Sequence, residues 1–85
     1  MSVDVIVYTT DNCRYCNAAK KLLGKRGVIY REERLAADPA SRERIGKLTG
    51  GFSFPQIIIA GEPIGGFDEL AALHRSGELT ALLAG

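Results

Sequence analysis

The chain has 85 residues, of which 46% are hydrophobic and 25% are charged, and it carries a net charge of +1. This length predicts a single domain over residues 1–85, and this composition is typical of a folded globular protein. The nearly balanced charge argues against nucleic acid or a membrane surface as a partner found through bulk electrostatics. The longest apolar run, residues 57–60, is too short to span a bilayer. The opening MSVDVIVYTT lacks the cationic start of a signal peptide, so a cytoplasmic location is expected.

Hydrophobic periodicity and breaker residues predict elements in the order β-α-β-α-β-β-α-α. The predicted strands are residues 3–8, 28–32, 56–60 and 63–65. The predicted helices are residues 14–24, 39 to the Gly50–Gly51 break, 67–76 and 77–84, with Asp38 as the N-cap of the second. A parallel pair of strands joined by a helix, followed by a hairpin, predicts an α/β fold with a mixed sheet flanked by helices.

The only two cysteines, Cys13 and Cys16, stand three residues apart. Two such thiols are compatible with half of a zinc site, a structural disulfide or a redox-active pair. A closed zinc site needs four ligands, and the chain adds only His74, on an amphipathic segment where a solvent-facing histidine is expected. A disulfide closing so short a loop stabilises the fold little. The redox pair is therefore favoured over these two interpretations and over a chance pairing in the core.

The two thiols are not equivalent in this pattern. Cys13 falls at the junction of a loop and a helix, where free N–H groups and the helix dipole stabilise a thiolate. Cys16 shares a helix face with Ala19 and Leu23, so it should be more buried. We therefore expect Cys13 to be the nucleophile, with a pKa below that of a free thiol, and Cys16 to be the resolving thiol. The charge of Arg14, between them, should favour the thiolate further.

Two further features accompany the cysteines. Phe54–Pro55 precedes the third strand, either as an ordinary strand-start proline or as a cis bond that turns the backbone toward a ligand. The stretch GGFD at residues 65–68 is either a turn with an acidic N-cap or a binding site. In the second case its N–H groups would hold a carboxylate, and Asp68 would hold an ammonium group.

Taken together, CRYC at 13–16, SFP before the third strand and GGFD at 65–68 resemble the glutaredoxin family in order and spacing along the whole chain. The resemblance implies a thioredoxin-like fold and a monomer that reduces disulfide-bearing or glutathionylated proteins. Glutathione would be the co-substrate, with no metal and no covalently bound cofactor. By this resemblance, Arg42 would meet the glycyl carboxylate of glutathione, and residues 66–68 would hold its γ-glutamyl end. The glutathione-binding residues implied by the resemblance are Tyr15, Arg42, Phe54, a cis Pro55, Gly66, Phe67 and Asp68.

Two positions depart from the family pattern, and two alternatives stay open. Thr10 stands where many members have a lysine, and Arg14 stands where a proline is common. One alternative is a redoxin that a flavoprotein reductase reduces in place of glutathione. The other is a dimer that holds a [2Fe–2S] cluster between its subunits, ligated by Cys13 and external thiols.

Overall fold

Four strands in one mixed sheet form the centre of the computed structural model, which describes residues 3–84. The strands are β1 (Val5–Thr9), β2 (Arg31–Arg34), β3 (Gln56–Ile59) and β4 (Glu62–Gly65). Their order is β2-β1-β3-β4, with β1 and β2 parallel and the other two pairs antiparallel. The mixed sheet predicted from the sequence is therefore confirmed. Residues 1, 2 and 85 of the predicted domain lie outside the described residues.

The helices are α1 (Arg14–Lys25), α2 (Pro39–Thr49), α3 (Phe67–Ser76) and α4 (Glu78–Ala84). Asp38 caps α2 as predicted, since its Oδ1 accepts a hydrogen bond from the Ser41 N–H at 2.8 Å. This hydrogen bond holds the pKa of the Asp38 carboxyl below its ordinary value. Gly50 ends α2 with φ at 83°, a left-handed conformation that glycine adopts without steric cost. Among the described helices, none combines the length and the apolarity needed to cross a membrane.

The hydrophobic core joins one face of the central strands to α1, α3 and α4. Alternate residues of β1 and β3 point into it, and they lie opposite each other in the antiparallel register. Its buried members are Val5, Val7, Ala19, Leu23, Ile57, Ile59, Leu70 and Leu79. The helix α2 contacts β3 and β4 and buries Ile45 outside this cluster. The sheet thus fixes the start of α1, the loop before β3 and the start of α3 relative to one another.

The second strand lies further along the chain than predicted. The apolar segment 28–30 suggested a strand over 28–32, whereas β2 consists of the charged residues Arg31–Arg34. Val28 and Tyr30 are instead partly buried and pack against the core before the strand begins. That prediction was wrong because Val28 and Tyr30 are apolar through burial against the core and not through strand pairing, while Ile29 between them is 90% exposed.

Candidate active site

The two cysteines meet at the first turn of α1. Cys13 is the N-cap residue of this helix, Cys16 lies in its first turn, and the two sulfurs form a disulfide with Cα atoms 5.2 Å apart. The Cys16 N–H donates a hydrogen bond to Cys13 Sγ at 3.1 Å, which places a backbone donor on this sulfur. Cys13 is partly exposed, whereas Cys16 is 1% exposed. The accessible sulfur is therefore that of Cys13, in agreement with the inequivalence expected from the sequence.

A network of polar side chains holds the segment that precedes Cys13. The Thr9 hydroxyl, at the end of β1, donates to Glu32 Oε2 at 2.7 Å, and Lys20 Nζ lies 3.2 Å from the same oxygen. Arg34 bridges two carboxylates. Its Nη2 lies 3.7 Å from Glu32 Oε2, and its Nη1 lies 3.3 Å from Oδ1 of Asp11, in the loop before Cys13. The Thr9 hydrogen bond, with Lys20 and Arg34, lowers the pKa of Glu32 against the opposing effect of burial. The loop is thus connected to β1, β2 and α1.

A cavity of about 430 Å³ opens at Tyr15, the second residue of α1, and neither cysteine is among its lining residues. Its lining comes from the first turn of α1, the loop before β3 and the start of α3. The lining residues are Tyr15, Ser53, Phe54, Pro55, Gly66, Phe67, Asp68 and Glu69. The structure therefore brings six of the seven residues that the resemblance assigned to glutathione binding around one cavity. A larger groove of about 750 Å³ contains none of these candidate residues.

The remaining candidate, Arg42, does not line this cavity. It is an exposed residue of α2, and its backbone N–H donates to the Asp38 carbonyl. Arg14 is likewise exposed, at the first position of α1. His74 is exposed as expected and has Arg26 Nη1 at 3.0 Å from its Nδ1. Within residues 3–84, no three His, Cys, Asp or Glu side chains are grouped as they would be around a metal ion.

Two aromatic rings in the lining of the cavity lie close to each other. Tyr15, between the cysteines, is 58% exposed, and its ring centroid lies 6.0 Å from that of Phe67 on α3. The planes are tilted by 32°, within the range of favourable aromatic contacts. Tyr15 thus combines an exposed ring with an aromatic contact inside the cavity lining.

The loop before β3 forms part of the cavity lining. The Phe54–Pro55 bond is cis, as expected from the resemblance. Gln56, which the sequence analysis did not single out, is 4% exposed, and its Nε2 donates to the Ser53 carbonyl at 2.9 Å. A Cβ at Gly51 would meet this amide at 2.6 Å, so the loop folds closely over Gln56. A polar residue at the start of an apolar strand was the available signal, because a buried amide requires hydrogen-bond partners.

The start of α3 is shaped by a side chain that the sequence analysis also missed. Glu69 folds back over the Gly65–Gly66 turn, and its Oε1 accepts a hydrogen bond from the Gly66 N–H at 2.7 Å. A Cβ at Gly65 would lie 2.7 Å from that oxygen, and φ of Gly65 is 115°, so this position requires glycine. The expected free N–H of Gly66 thus already has a carboxylate partner. The sequence signal for this contact was the spacing from Gly66, the N-cap, to Glu69, the third helical residue, which is typical of a capping box.

A mixed four-stranded sheet with a cysteine pair where the first strand leads into a helix defines the thiol–disulfide oxidoreductases of thioredoxin-like fold. Within that class, this chain belongs to the glutaredoxin family, whose model matches residues 5–64. The chain is 41% identical over 80 residues to a glutaredoxin of Pseudomonas aeruginosa, covering 94% of this chain and 95% of that protein. It is also 41% identical over 80 residues to glutaredoxin 3 of Escherichia coli, covering 94% and 96%.

Solved structures give the same assignment. A buckwheat glutaredoxin–glutathione complex superimposes with a TM-score of 0.82 at 29% identity, covering 96% of this chain and 77% of that one. The solution structure of a Brucella melitensis glutaredoxin gives a TM-score of 0.83 at 41% identity, covering 96% and 89%. The thioredoxin-like fold implied by the resemblance is therefore confirmed.

Proposed function

We propose that this protein uses glutathione to reduce protein disulfides and mixed disulfides of glutathione with proteins. The observation that carries the proposal is the unequal exposure of two cysteines at the start of a helix whose first turn lines a cavity. Only Cys13 is accessible to an external disulfide, and its sulfur faces the Cys16 N–H. The glutathione bound to the buckwheat relative supports glutathione as the ligand of this cavity.

The reaction on a mixed disulfide consumes one glutathione. The Cys13 thiolate attacks the glutathione sulfur, the sulfur–sulfur bond breaks, and the protein leaves as a thiolate that takes up a proton. The thiolate of a free glutathione molecule then attacks the glutathione sulfur bonded to Cys13. This step releases glutathione disulfide and restores the Cys13 thiolate. The Cys16 N–H donor stabilises the negative sulfur at the start and end of this cycle.

A protein disulfide is reduced by both cysteines. Cys13 attacks one sulfur and forms a mixed disulfide with the substrate. Cys16 then attacks Cys13 Sγ, the substrate leaves with both thiols reduced, and the Cys13–Cys16 disulfide forms. Two glutathione molecules return this disulfide to two thiols. The reduction potentials of glutaredoxins as a class, about −200 to −230 mV, lie near that of the glutathione pool, so this last step is readily reversible.

The backbone and side chains around the cavity have separate tasks in this proposal. The loop at Phe54 and Pro55 pairs with the cysteinyl part of glutathione, and Tyr15 flanks the bound tripeptide. The start of α3 at residues 66–68 receives the γ-glutamyl end. Arg42 as the partner of the glycyl carboxylate, a monomeric state and a cytoplasmic location all stay predictions.

Two single substitutions test this division of labour in a glutathione-coupled assay on a glutathionylated protein. Cys13→Ser should abolish turnover, since no other thiolate stands at the helix start. Cys16→Ser should keep activity on the mixed disulfide and lose most of the activity on a protein disulfide. Equal loss in both variants on the mixed disulfide would contradict the proposed roles. Turnover with a flavoprotein reductase but not with glutathione would favour the redoxin alternative.

A further inference from the structure

The helix that begins next to Cys13 carries positive charges and no negative ones. The sequence of α1, RYCNAAKKLLGK, contains four basic residues and no Asp or Glu. Three of these cations, Arg14, Lys21 and Lys25, are exposed. They stand seven and four positions apart, a spacing that places them on one side of a helix. These three residues are called the basic face of α1 below.

The cations of the basic face have no carboxylate partner within residues 3–84. The ion pairs in that part of the chain are made by Lys20, Arg31, Arg34 and Lys47. Lys20, the remaining cation of α1, is directed to β2, where it pairs with Glu32 at 3.2 Å. No residue of the basic face lines the cavity or the larger groove. The basic face is therefore a separate surface whose charges are available to a partner.

This arrangement lowers the stability of the helix that carries it. Lys21 and Lys25 form an i, i+4 pair of like charges, which destabilises a helix. Arg14 is the first residue of α1, where the positive end of the helix dipole disfavours a cation. Gly24 costs helix stability relative to alanine, although a Cβ there would meet no packed neighbour within 4 Å. The folding of α1 thus does not explain this composition, whereas an acidic segment lying along the helix would.

The basic face leads away from the accessible sulfur. Lys21 and Lys25 follow Cys13 by eight and twelve residues, which corresponds to roughly 12 and 18 Å along a helix axis. An extended polypeptide covers these distances in about four to six residues. A protein that brings a disulfide sulfur to Cys13 therefore reaches both lysines with the segment that flanks its own cysteine.

We infer that the basic face is a docking surface for protein substrates, and that it favours substrates with carboxylates four to six residues from the reactive cysteine. Charge complementarity selects the acidic partner. A polypeptide is favoured over a membrane because the face begins beside the reactive sulfur and the net charge of the whole chain is only +1. The inference rests on the proposed glutathione-dependent function and specifies its substrates.

The test follows the single-turnover reaction of two peptides with a Cys16→Ser protein, in which Cys13 is the only thiol. Each peptide has one glutathionylated cysteine, flanked on both sides, at the fourth to sixth positions, by glutamates in one peptide and by glutamines in the other. The Cys13 thiolate attacks the glutathione sulfur, and the peptide leaves as a thiolate that takes up a proton. The mass gained by the protein reports the second-order rate constant. Division by the rate constant for free 2-mercaptoethanol corrects for the leaving thiol.

The glutamate peptide should react faster than the glutamine peptide. At low ionic strength the ratio of the two rate constants should be about 2- to 30-fold, the usual effect of two exposed ion pairs. At about 1 M salt the ratio should approach one, because screening there acts over about 3 Å. A ratio of one or less at low ionic strength would overturn the inference.

Charge reversal on the basic face identifies the surface responsible. Lys21→Glu/Lys25→Glu should bring the ratio below one, and Lys21→Gln/Lys25→Gln, which introduces no new charge, should bring it close to one. Arg44→Glu/Arg75→Glu is the matched control: it changes the net charge as much as the first variant does, at exposed residues of α2 and α3, and should keep the parent ratio. Equal ratios in the control and in both lysine variants would overturn the inference.

The same experiment distinguishes this inference from the function on which it rests. If the parent reacts with neither peptide faster than 2-mercaptoethanol does, and is no faster with the mixed disulfide of glutathione and 2-mercaptoethanol, the proposed function falls together with the inference. Fast reaction with both peptides at equal rates would support the proposed function and overturn the inference alone. Equal peptide rates, with binding to phosphatidylglycerol vesicles that Lys21→Glu/Lys25→Glu abolishes, would overturn the inference and assign the basic face to a membrane.

Discussion

Gln56 is a buried polar side chain whose amide connects β3 to the loop that forms one wall of the cavity. Its Nε2 donates to the Ser53 carbonyl at 2.9 Å, and the loop approaches it too closely at Gly51 to admit a Cβ. Ser53 and Phe54 line the cavity, so the position of this wall depends on the Gln56 amide. We infer that Gln56 is a positioning residue, one step removed from the ligand.

Replacing Gln56 by leucine tests that role. Gln56→Leu keeps the volume and loses the donor, so the KM for glutathione should rise by about 2- to 12-fold, the usual net worth of one hydrogen bond. The alkylation rate of reduced Cys13 by iodoacetamide should not change. Gln56→Glu, which directs a carboxylate oxygen toward the Ser53 carbonyl, should lose at least as much. An unchanged KM in Gln56→Leu, or an equally slowed alkylation, would count against the positioning role.

Arg14 brings an exposed positive charge next to Cys13. The backbone donor observed on Cys13 Sγ is the Cys16 N–H, which proline at position 14 leaves in place. Arg14→Gln and Arg14→Pro should therefore raise the pKa of the reduced Cys13 thiol equally. The rise should be less than about one pH unit, since unit charges 4 Å apart in water interact by about 1 kcal/mol.

Thiolate absorbance against pH, in a Cys16→Ser background, measures both Arg14 variants. A pKa at or below that of the parent protein in either variant would refute the contribution of the Arg14 charge. A larger rise in Arg14→Pro than in Arg14→Gln would show that the Arg14 N–H matters separately.

Single residues also show how much of the site could be predicted from the sequence. The cysteines, Tyr15 and the Phe54–Pro55 pair carry recognisable chemistry at a recognisable spacing, and all of them lie at the site. Gln56 and Glu69 were missed because their importance depends on which carbonyl or N–H lies within reach, and sequence spacing alone does not give that distance.

Among the helices, α2 has the clearest local determinant of stability in its N-cap. The pKa of Asp38 is lowered in the folded protein by the Ser41 N–H. Asp38 therefore stabilises the fold fully above its unfolded pKa of about 4, and this stabilisation is lost as the pH falls through the lower folded pKa. The melting temperature of Asp38→Ala should be below that of the wild type at pH 7, and the difference should shrink toward about pH 3.

Thermal unfolding of both proteins across that pH range is the measurement. Asp38→Asn is the matched control, because asparagine also caps helices and does not titrate, so it should retain most of the stability at pH 7. A difference between Asp38→Ala and the wild type that stays constant from pH 7 to pH 3 would mean that the carboxylate charge has no part in the cap.

Element boundaries were predicted well where end signals are local and poorly where they are not. The glycines that end α2 and α3, Gly50 and Gly77, adopt the left-handed conformation that such signals imply. The start of β2 has no such signal. It depends on where the chain meets β1, with Ile6 opposite Arg31, and that register is a property of the whole sheet.

At the scale of the whole molecule, the order of elements was enough to predict the mixed sheet, because connection rules leave few arrangements for β-α-β followed by a hairpin. The contents of the cavity could not be predicted in the same way. Arg42, a candidate through the resemblance alone, lies on α2 outside the lining, and its expected contact with the glycyl carboxylate stays a prediction. Which side of a helix faces a cavity depends on the packing of all the layers.

The strand order also has a consequence for how separate copies of the protein behave. The outer strands are β2 and β4, and free backbone groups on such strands can pair with another molecule. Here β2 consists of charged residues, whereas β4 contains Pro63 and pairs irregularly with β3 near Ile57. With a net charge of only +1, electrostatic repulsion between copies is weak. Protection against aggregation in this chain therefore comes from its two edge strands, β2 and β4.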